Sequence, residues 1–517
     1  MELLRLRLSS WGHDRTMPPE FILAVDQGTT NTKALLVDRG GRAVFQASTP
    51  LDLLHPQAGF VEQDAAAIWG SVRRVMLECA AHARSIGGSM AGISISNQRE
   101  TAVAWRRGSE PIAYGHAVSW QCRRSAEVCD GLVAKHEFIR ETTGLPVDPL
   151  ATAGKWTWML EHDVSLREAV ERGQACLGNV DAWLLANLTG GKVHATDHSN
   201  ASRTALFDLA RLRWSDELLE LFGIQQHEAL PEVMPSASLF GVCTTIEEFK
   251  GVPIVAMIGD SHAALFGHGS YGAGAVKATY GTGSSLMMLT ESLPGPSASL
   301  ARTIAWSRGS EVAFALEGNI AMTGSAVAWV GEFLGLADPV EGAVALAASV
   351  NDSAGLMFVP GMVGLGAPYW DSKARGVVAN LERSHKAAHL ARAAVDSIAF
   401  QVGDVLFAME AASGIVVPEL RVDGGATRND TLMQFQADVI HKPVLRSHSE
   451  LLSALGAAWL GGLTLGWWAS IDEIETLSHV GDRFEPAMTT ACAAARYEDW
   501  KVAVAKARLR EPVGAAA

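Results

Sequence analysis

Phe21-Ile22-Leu23-Ala24-Val25-Asp26-Gln27-Gly28-Thr29-Thr30-Asn31-Thr32-Lys33-Ala34-Leu35-Leu36-Val37-Asp38 sets two short apolar runs on either side of a Gly/Thr-rich turn. Runs of this length and composition joined by such a turn read as a β-hairpin. Roughly 250 residues further on, 275–280 and 286–290 repeat the plan around Gly281-Thr282-Gly283-Ser284-Ser285. Two such hairpins at this separation predict an α/β protein of two duplicated lobes, each a mixed sheet flanked by helices.

Working outward, 91–96 and 101–105 are β-rich runs framing the turn Asn97-Gln98-Arg99-Glu100, and 252–259 is a further strand ending at Asp260. In the second half, 419–425 reads as a strand closing on a glycine pair. Helical patterning is expected over 64–83, 389–412, 430–440 and 453–466. The division is expected near Gly267–Gly274, giving lobes over 20–268 and 269–500. Residues 1–19 are expected to be a disordered extension, with Met17 a possible start, and 501–517 a C-terminal tail.

With 517 residues, 48% of them apolar, the chain can bury two cores. A net charge of −14 argues against a nucleic-acid backbone as partner. There is no apolar run long enough to suggest a membrane span, and the expected setting is cytoplasmic. The six cysteines, Cys79, Cys122, Cys129, Cys176, Cys243 and Cys492, form no CxxC pair and read as reduced thiols.

The turns carry the chemistry. Thr29 and Thr30, like Thr282 and Gly283, offer backbone N–H groups and hydroxyls to phosphate oxygens. Asp26, at a strand end, suits Mg²⁺ held through water, and Lys33 can neutralise phosphate charge. Each turn alone is also an ordinary glycine hairpin; together they suggest a phosphate chain gripped from both sides. Asp423-Gly424-Gly425-Ala426-Thr427-Arg428-Asn429 would let a flat group such as adenosine approach the backbone, or would simply cap a helix. Asp260 is placed to orient a hydroxyl and accept its proton late in phosphoryl transfer, or to cap the helix that follows. Arg99 and Glu100 can bond adjacent hydroxyls and Trp120 can stack on sugar C–H groups; surface salt bridging is the plainer reading. His194, Asp197 and His198 lack metal-ligand spacing and read as capping and packing residues.

These segments, in this order, resemble the FGGY family of carbohydrate kinases, most closely its glycerol kinase branch, from about Phe21 to Trp468. The resemblance implies two actin-like, ribonuclease-H-like lobes with ATP and Mg²⁺ in the cleft. It implies Asp26 as the Mg²⁺-phosphate carboxylate, Thr30 and Thr282 as phosphate contacts and Asp260 as the base. It implies Gly324, Gly425 and Asn429 at the nucleotide, and Arg99, Glu100, Trp120 and Asp260 at the polyol. Relatives of that branch are often dimers or tetramers, so a homodimer or homotetramer is possible.

The departures from that branch are Ser261 where Gln follows the base, Leu150 where Tyr follows Asp-Pro, and Ser285 in place of Phe. Lys33 stands for Arg and Ala328 for Gln. Shorter, less aromatic walls imply a substrate larger than glycerol. The alternatives are a kinase for a ketose such as a pentulose, an actin-like ATPase, and a catalytically inactive sugar sensor; retention of Asp26 and Asp260 speaks against the last.

No core pattern precedes Phe21, so a chain beginning at Met17 is expected to keep full activity and melting temperature. Turnover and thermal melts of the two lengths check this.

Overall fold

The computed structural model describes residues 18–477 and 480–509. Residues 1–17 of the expected extension and residues 510–517 of the expected tail lie outside the described residues. Strands β1 (Glu20–Gln27) and β2 (Asn31–Val37) pair antiparallel, with Asp26 opposite Lys33. β3 (Ala43–Pro50) extends that edge. On its other side β1 runs parallel to β4 (Ser89–Asn97), which runs parallel to β6 (Pro253–Gly259), and the two-residue β5 (Gly241–Val242) closes the sheet in the order β5-β6-β4-β1-β2-β3. The central strands are apolar along their length because helices cover both faces: Ile22 to Val25 and Ile254 to Ile258 are buried. On one face lies α1 (Ala65–Ser85), whose N-cap Asp64 accepts from the Ala66 N–H at 2.8 Å.

The second sheet repeats this plan. β7 (Val276–Tyr280) and β8 (Ser284–Thr290) form the hairpin, and β9 (Ala301–Arg308) and β10 (Glu311–Ile320) extend it antiparallel. β7 is parallel to β11 (Leu420–Asp423), β11 to β12 (Val444–Ser447), and β13 (Val480–Phe484) closes the edge. In both sheets the first strand of the hairpin is also the first of three parallel strands. Both therefore present Gly-rich turns at the carboxyl ends of central strands, where open α/β sheets bind ligands.

Three details differ from the sequence reading. The run expected at 101–105 does not pair with β4: Val103–Arg106 joins a small separate sheet against Ala175–Gly178. The chain turns away at Glu100, whose φ of 58° is left-handed. The stretch after 500 is not a free tail, because the helix Thr490–Arg508 runs through it and buries Trp500, Ala503, Val504 and Ala507. Finally, a helix of the second half belongs to the first sheet. α2 (Asp260–Gly267) and Leu452–Leu465 cross closely. The latter shares one buried cluster with Ile22, Ala24, Leu35, Ala256 and Ile258, and its Trp459 donates to the Gly41 carbonyl at 2.9 Å.

That crossing depends on glycine. A Cβ on Gly456 would lie 1.9 Å from the Ala263 carbonyl oxygen, and one on Gly267 would lie 2.3 Å from that of Leu452. Gly456→Ala is expected to destabilise the protein by about 1–3 kcal/mol through overpacking, read as a lower midpoint in thermal or denaturant unfolding.

Candidate active site

Three parallel strands of the first sheet deliver three groups to one end. β1 ends at Asp26, β4 leads into Gln98-Arg99-Glu100, and β6 ends at Gly259, immediately before Asp260. Facing them, β7 ends at the Gly281-Thr282-Gly283 turn and β11 at Asp423-Gly424-Gly425.

Asp26 Oδ1 accepts from the Ser96 hydroxyl at 2.8 Å, and Oδ2 has no hydrogen bond among the described residues. Burial pushes its carboxyl up, against the pull of Ser96 and Lys33. Asp260 is held on one side only. Its Oδ1 accepts from the Ser261 N–H at 2.6 Å and lies 3.5 Å from Arg99 Nε, while Oδ2 is without a partner among the described residues. Burial raises the Asp260 carboxyl to about 6, opposed by the Arg99 guanidinium and reinforced by Asp26.

Thr30 is exposed at the turn, whereas Thr29 is engaged. The Thr29 hydroxyl accepts from Trp120 Nε1 at 2.9 Å and its carbonyl from Gln63 at 2.7 Å. Trp120, expected as a stacking platform, is instead seen to hold the Gly28-Thr29-Thr30 turn through its indole N–H. Lys33 lines a cavity of about 540 Å³ between the lobes together with Arg446, His448 and Glu450. A second cavity, of about 550 Å³ and lined by Thr49, Arg74 and His116, holds none of the candidate residues.

On the second lobe, Thr282 is exposed and Gly283 packs against the Ile320 carbonyl, where a Cβ would come within 2.5 Å. Gly324 opens the helix Gly324–Phe333; a Cβ there would stand 2.7 Å from the Gly281 carbonyl, so glycine lets the helix N-terminus abut the turn. Ala328 is half-buried one turn later. Gly424, at φ +98°, lies against the Tyr280 backbone, while Gly425 faces open space. Asn429 Oδ1 caps the helix Asp430–Ile440 by accepting from the Leu432 N–H at 3.1 Å.

Arg99 and Glu100 are less free than expected. Glu100 is 3% exposed and its Oε1 accepts from Arg203 Nε at 2.6 Å. Both Arg99 and Arg203 reach Glu317 on β10, at 2.8 and 2.7 Å, and Glu317 has no solvent exposure. The two guanidinium groups hold its carboxyl far below the usual range, so it stays ionised. Arg203, Glu317 and the buried Lys277 were not identified as site residues in the sequence. The one available signal was a charge in the interior of each apolar strand, Glu317 in 311–320, which also begins with Glu311, and Lys277 in 275–280.

Of the substrate-wall departures, Ser261 and Ser285 meet across the lobes with hydroxyl oxygens 3.0 Å apart, both half-buried. Leu150 follows Asp148, and the fully buried Lys155 donates to its carbonyl at 2.5 Å. His194, Asp197 and His198 are each engaged elsewhere. His194 bonds the Leu177 carbonyl and His198 the Ser307 hydroxyl, while Asp197 caps the helix His198–Ala201. The cysteines are all free, with only Cys492 exposed. Among the described residues no helix is long and apolar enough to cross a membrane.

Two duplicated α/β lobes, with paired Gly/Thr turns and two carboxylates at the strand ends between them, define an actin-like phosphotransferase. The chain belongs to the FGGY family of carbohydrate kinases: the family's N-terminal domain matches residues 21–267 and its C-terminal domain residues 276–465. It is 45% identical to an apulose kinase of Pectobacterium atrosepticum over 95% of this chain and 98% of that one. It is 43% identical to glycerol kinase 2 of Thermotoga maritima over 94% and 98%. The fold superimposes on a Plasmodium falciparum glycerol kinase solved with ADP at a TM-score of 0.90 and 29% identity, covering 95% of this chain and 99% of that one. The protein is thus a phosphotransferase with an alcohol group of a small polyol or sugar as acceptor.

Because Glu317 sits between two buried arginines, Glu317→Gln leaves both undercompensated. A loss of about 3–5 kcal/mol of stability is expected, measured by denaturant unfolding. A fall in kcat/KM should accompany it, since Arg99 also holds Asp260.

Proposed function

We propose that the cleft transfers the γ-phosphoryl group of ATP to a hydroxyl of a four- or five-carbon sugar or polyol, with Asp260 as the base. The observation that carries the reading is the asymmetric hold on Asp260: Oδ1 is fixed by the Ser261 N–H and Arg99, and Oδ2 is left to accept a proton. In a loose phosphoryl-transfer transition state the acceptor proton leaves late, so the base chiefly orients the hydroxyl. A carboxyl raised to about 6 takes that proton more readily than one near 4 while staying ionised at neutral pH.

The reading places Thr29, Thr30, Lys33, Thr282 and Gly283 around the phosphates, and Gly324, Gly425 and Asn429 at the adenosine. Asp26 fits Mg²⁺: a single cleft-side carboxylate with one oxygen uncommitted suits an ion that keeps most of its water. When bound there, Mg²⁺ would neutralise charge developing on the phosphates. Arg99 and Trp120 stand on the acceptor side, where Arg99 Nη1 is buried without a hydrogen bond. Glu100 supports them through Arg203. The acceptor is read as larger than glycerol because Leu150, Ser261 and Ser285 shorten the wall, and the similarity to an apulose kinase supports a sugar in that place.

Asp260→Asn keeps the shape and removes the acceptor charge, so kcat is expected to fall about 10²–10⁴-fold with little change in ATP binding. In the unaltered enzyme the base is active only when ionised. kcat/KM should therefore fall with decreasing pH through about 6, and this limb should vanish from the residual activity of the variant. A limb unchanged in Asp260→Asn would assign it to another group.

A further inference from the structure

A closed ring of hydrogen bonds joins the Gly28-Thr29-Thr30 turn to the segment that follows Arg99-Glu100. The backbone N–H of Trp120 donates to Thr101 Oγ1 at 3.2 Å, and its indole Nε1 donates to Thr29 Oγ1 at 2.9 Å. Thr101 donates to Gln98 Oε1 at 3.0 Å, Gln98 Nε2 to Gln63 Oε1 at 2.8 Å, and Gln63 Nε2 to the Thr29 carbonyl at 2.7 Å. Gln98 Nε2 also donates to Gln27 Oε1 at 3.0 Å, and Gln27 Nε2 to the Gly28 carbonyl at 2.7 Å. Gln27, Gln63, Gln98 and Thr101 are all buried.

Chemistry fixes the direction of these bonds. An indole nitrogen only donates, so Thr29 Oγ1 accepts from Trp120 and keeps its own proton to give. Thr101 accepts the Trp120 N–H and passes its proton to Gln98. Gln98 divides its amide protons between Gln27 and Gln63, and each of these gives one to a carbonyl of the turn. With both carbonyls engaged, the turn is left with donors: the Thr29 hydroxyl proton and the N–H groups of Thr29 and Thr30, which have no acceptor among the described residues. Donors are what a phosphate requires. Trp120 spans the ring, with its backbone at the residue after Glu100 and its indole tip at the turn.

We infer that Trp120 couples the two substrates: its indole N–H holds the turn that meets the phosphates while the face of the same ring packs on the acceptor, so that each ligand raises the other's affinity. This inference rests on the proposed reading of the cleft, which sets the phosphates at Thr29 and Thr30 and the acceptor at Arg99 and Trp120, and extends it from binding to coupling. A rigid planar ring satisfies the Thr29 bond in a narrow range of orientations. An acceptor stacked on its face therefore holds the turn in register, and a ligand that finds a shared element already ordered is spared the cost of ordering it. A tryptophan that only packed on the acceptor would set that ligand's affinity and leave the nucleotide's unchanged.

The test measures, by titration calorimetry, the Kd of a non-hydrolysable ATP analogue with Mg²⁺, with and without a saturating acceptor, using whichever of glycerol, erythritol, D-ribulose and D-xylulose is turned over best. In the unaltered enzyme the acceptor should tighten the analogue about fivefold or more, and the analogue should tighten the acceptor by the same factor. Trp120→Phe keeps an aromatic face and removes the N–H; Thr29→Val keeps the shape and removes the hydroxyl. Each should bring the coupling factor to within about twofold of unity, whatever it does to the affinity for either ligand alone. The double variant should lose no more coupling than either single one, because both delete the same bond. Thr29→Ser, which keeps the hydroxyl, should retain the coupling. Thr29 is half-buried in a turn, so its variants carry the test should Trp120→Phe not fold. No coupling in the unaltered enzyme, coupling kept in Trp120→Phe or Thr29→Val, or coupling lost in Thr29→Ser would overturn the inference while leaving the reading of Asp260 intact. An unchanged kcat in Asp260→Asn would instead overturn the reading of the cleft, and this inference with it.

Discussion

Four charged side chains with almost no access to water meet at the floor of the cleft: Arg99, Glu100, Arg203 and Glu317. Their charges cancel, and that is the condition for burying them, since each ion taken singly from water costs several kcal/mol. The cluster also ties together segments distant in the chain. Arg99 and Glu100 follow a strand of the first sheet, Arg203 follows the short helix His198–Ala201, and Glu317 lies within a strand of the second sheet. The cluster therefore fixes the distance between the two sheets where their ligand-binding ends converge.

Asp260 hangs on the edge of this cluster as a fifth charge with no full partner. Arg99 is already shared between Glu317 and Glu100, so it can only partly offset the desolvation of Asp260, whose carboxyl settles near 6. A carboxylate with that property results from the surplus of one negative charge in a nearly closed network. The same sharing accounts for the buried guanidinium nitrogen of Arg99 that lacks a hydrogen bond. Such an uncompensated donor is tolerable where a ligand oxygen will complete it.

The lobes are less separate than the duplicated sheets suggest. The helix Leu452–Leu465 returns from the second half of the chain to cover the first sheet. Its Ser453 hydroxyl donates to the Asp260 carbonyl at 3.1 Å. Movement of the second lobe would thus act on the element that carries Asp260, and closure of the kind that excludes water from phosphoryl transfer would pivot on a packed core.

By itself the sequence determined what local chemistry dictates. The hairpins around Gly28-Thr29-Thr30 and Gly281-Thr282-Gly283, the strand leading to Asp260 and the helix at 430–440 all follow from apolar periodicity and from residues that only turns accommodate. Those features placed Asp26, Thr282 and Asp260 at strand ends, and with them the two-lobed cleft. Tertiary structure decided which charges meet. Glu317 and Lys277 are ionic residues in the interior of apolar strands, and nothing beside them in the chain indicates that their partners lie at positions 99, 203 and 261. The same holds for Glu100, which local reading offers to a sugar hydroxyl and the fold gives to Arg203. Periodicity reports which face of an element is buried. Charge pairing depends on what stands opposite that face, and only the packing of the two sheets brings those groups within a hydrogen bond of each other.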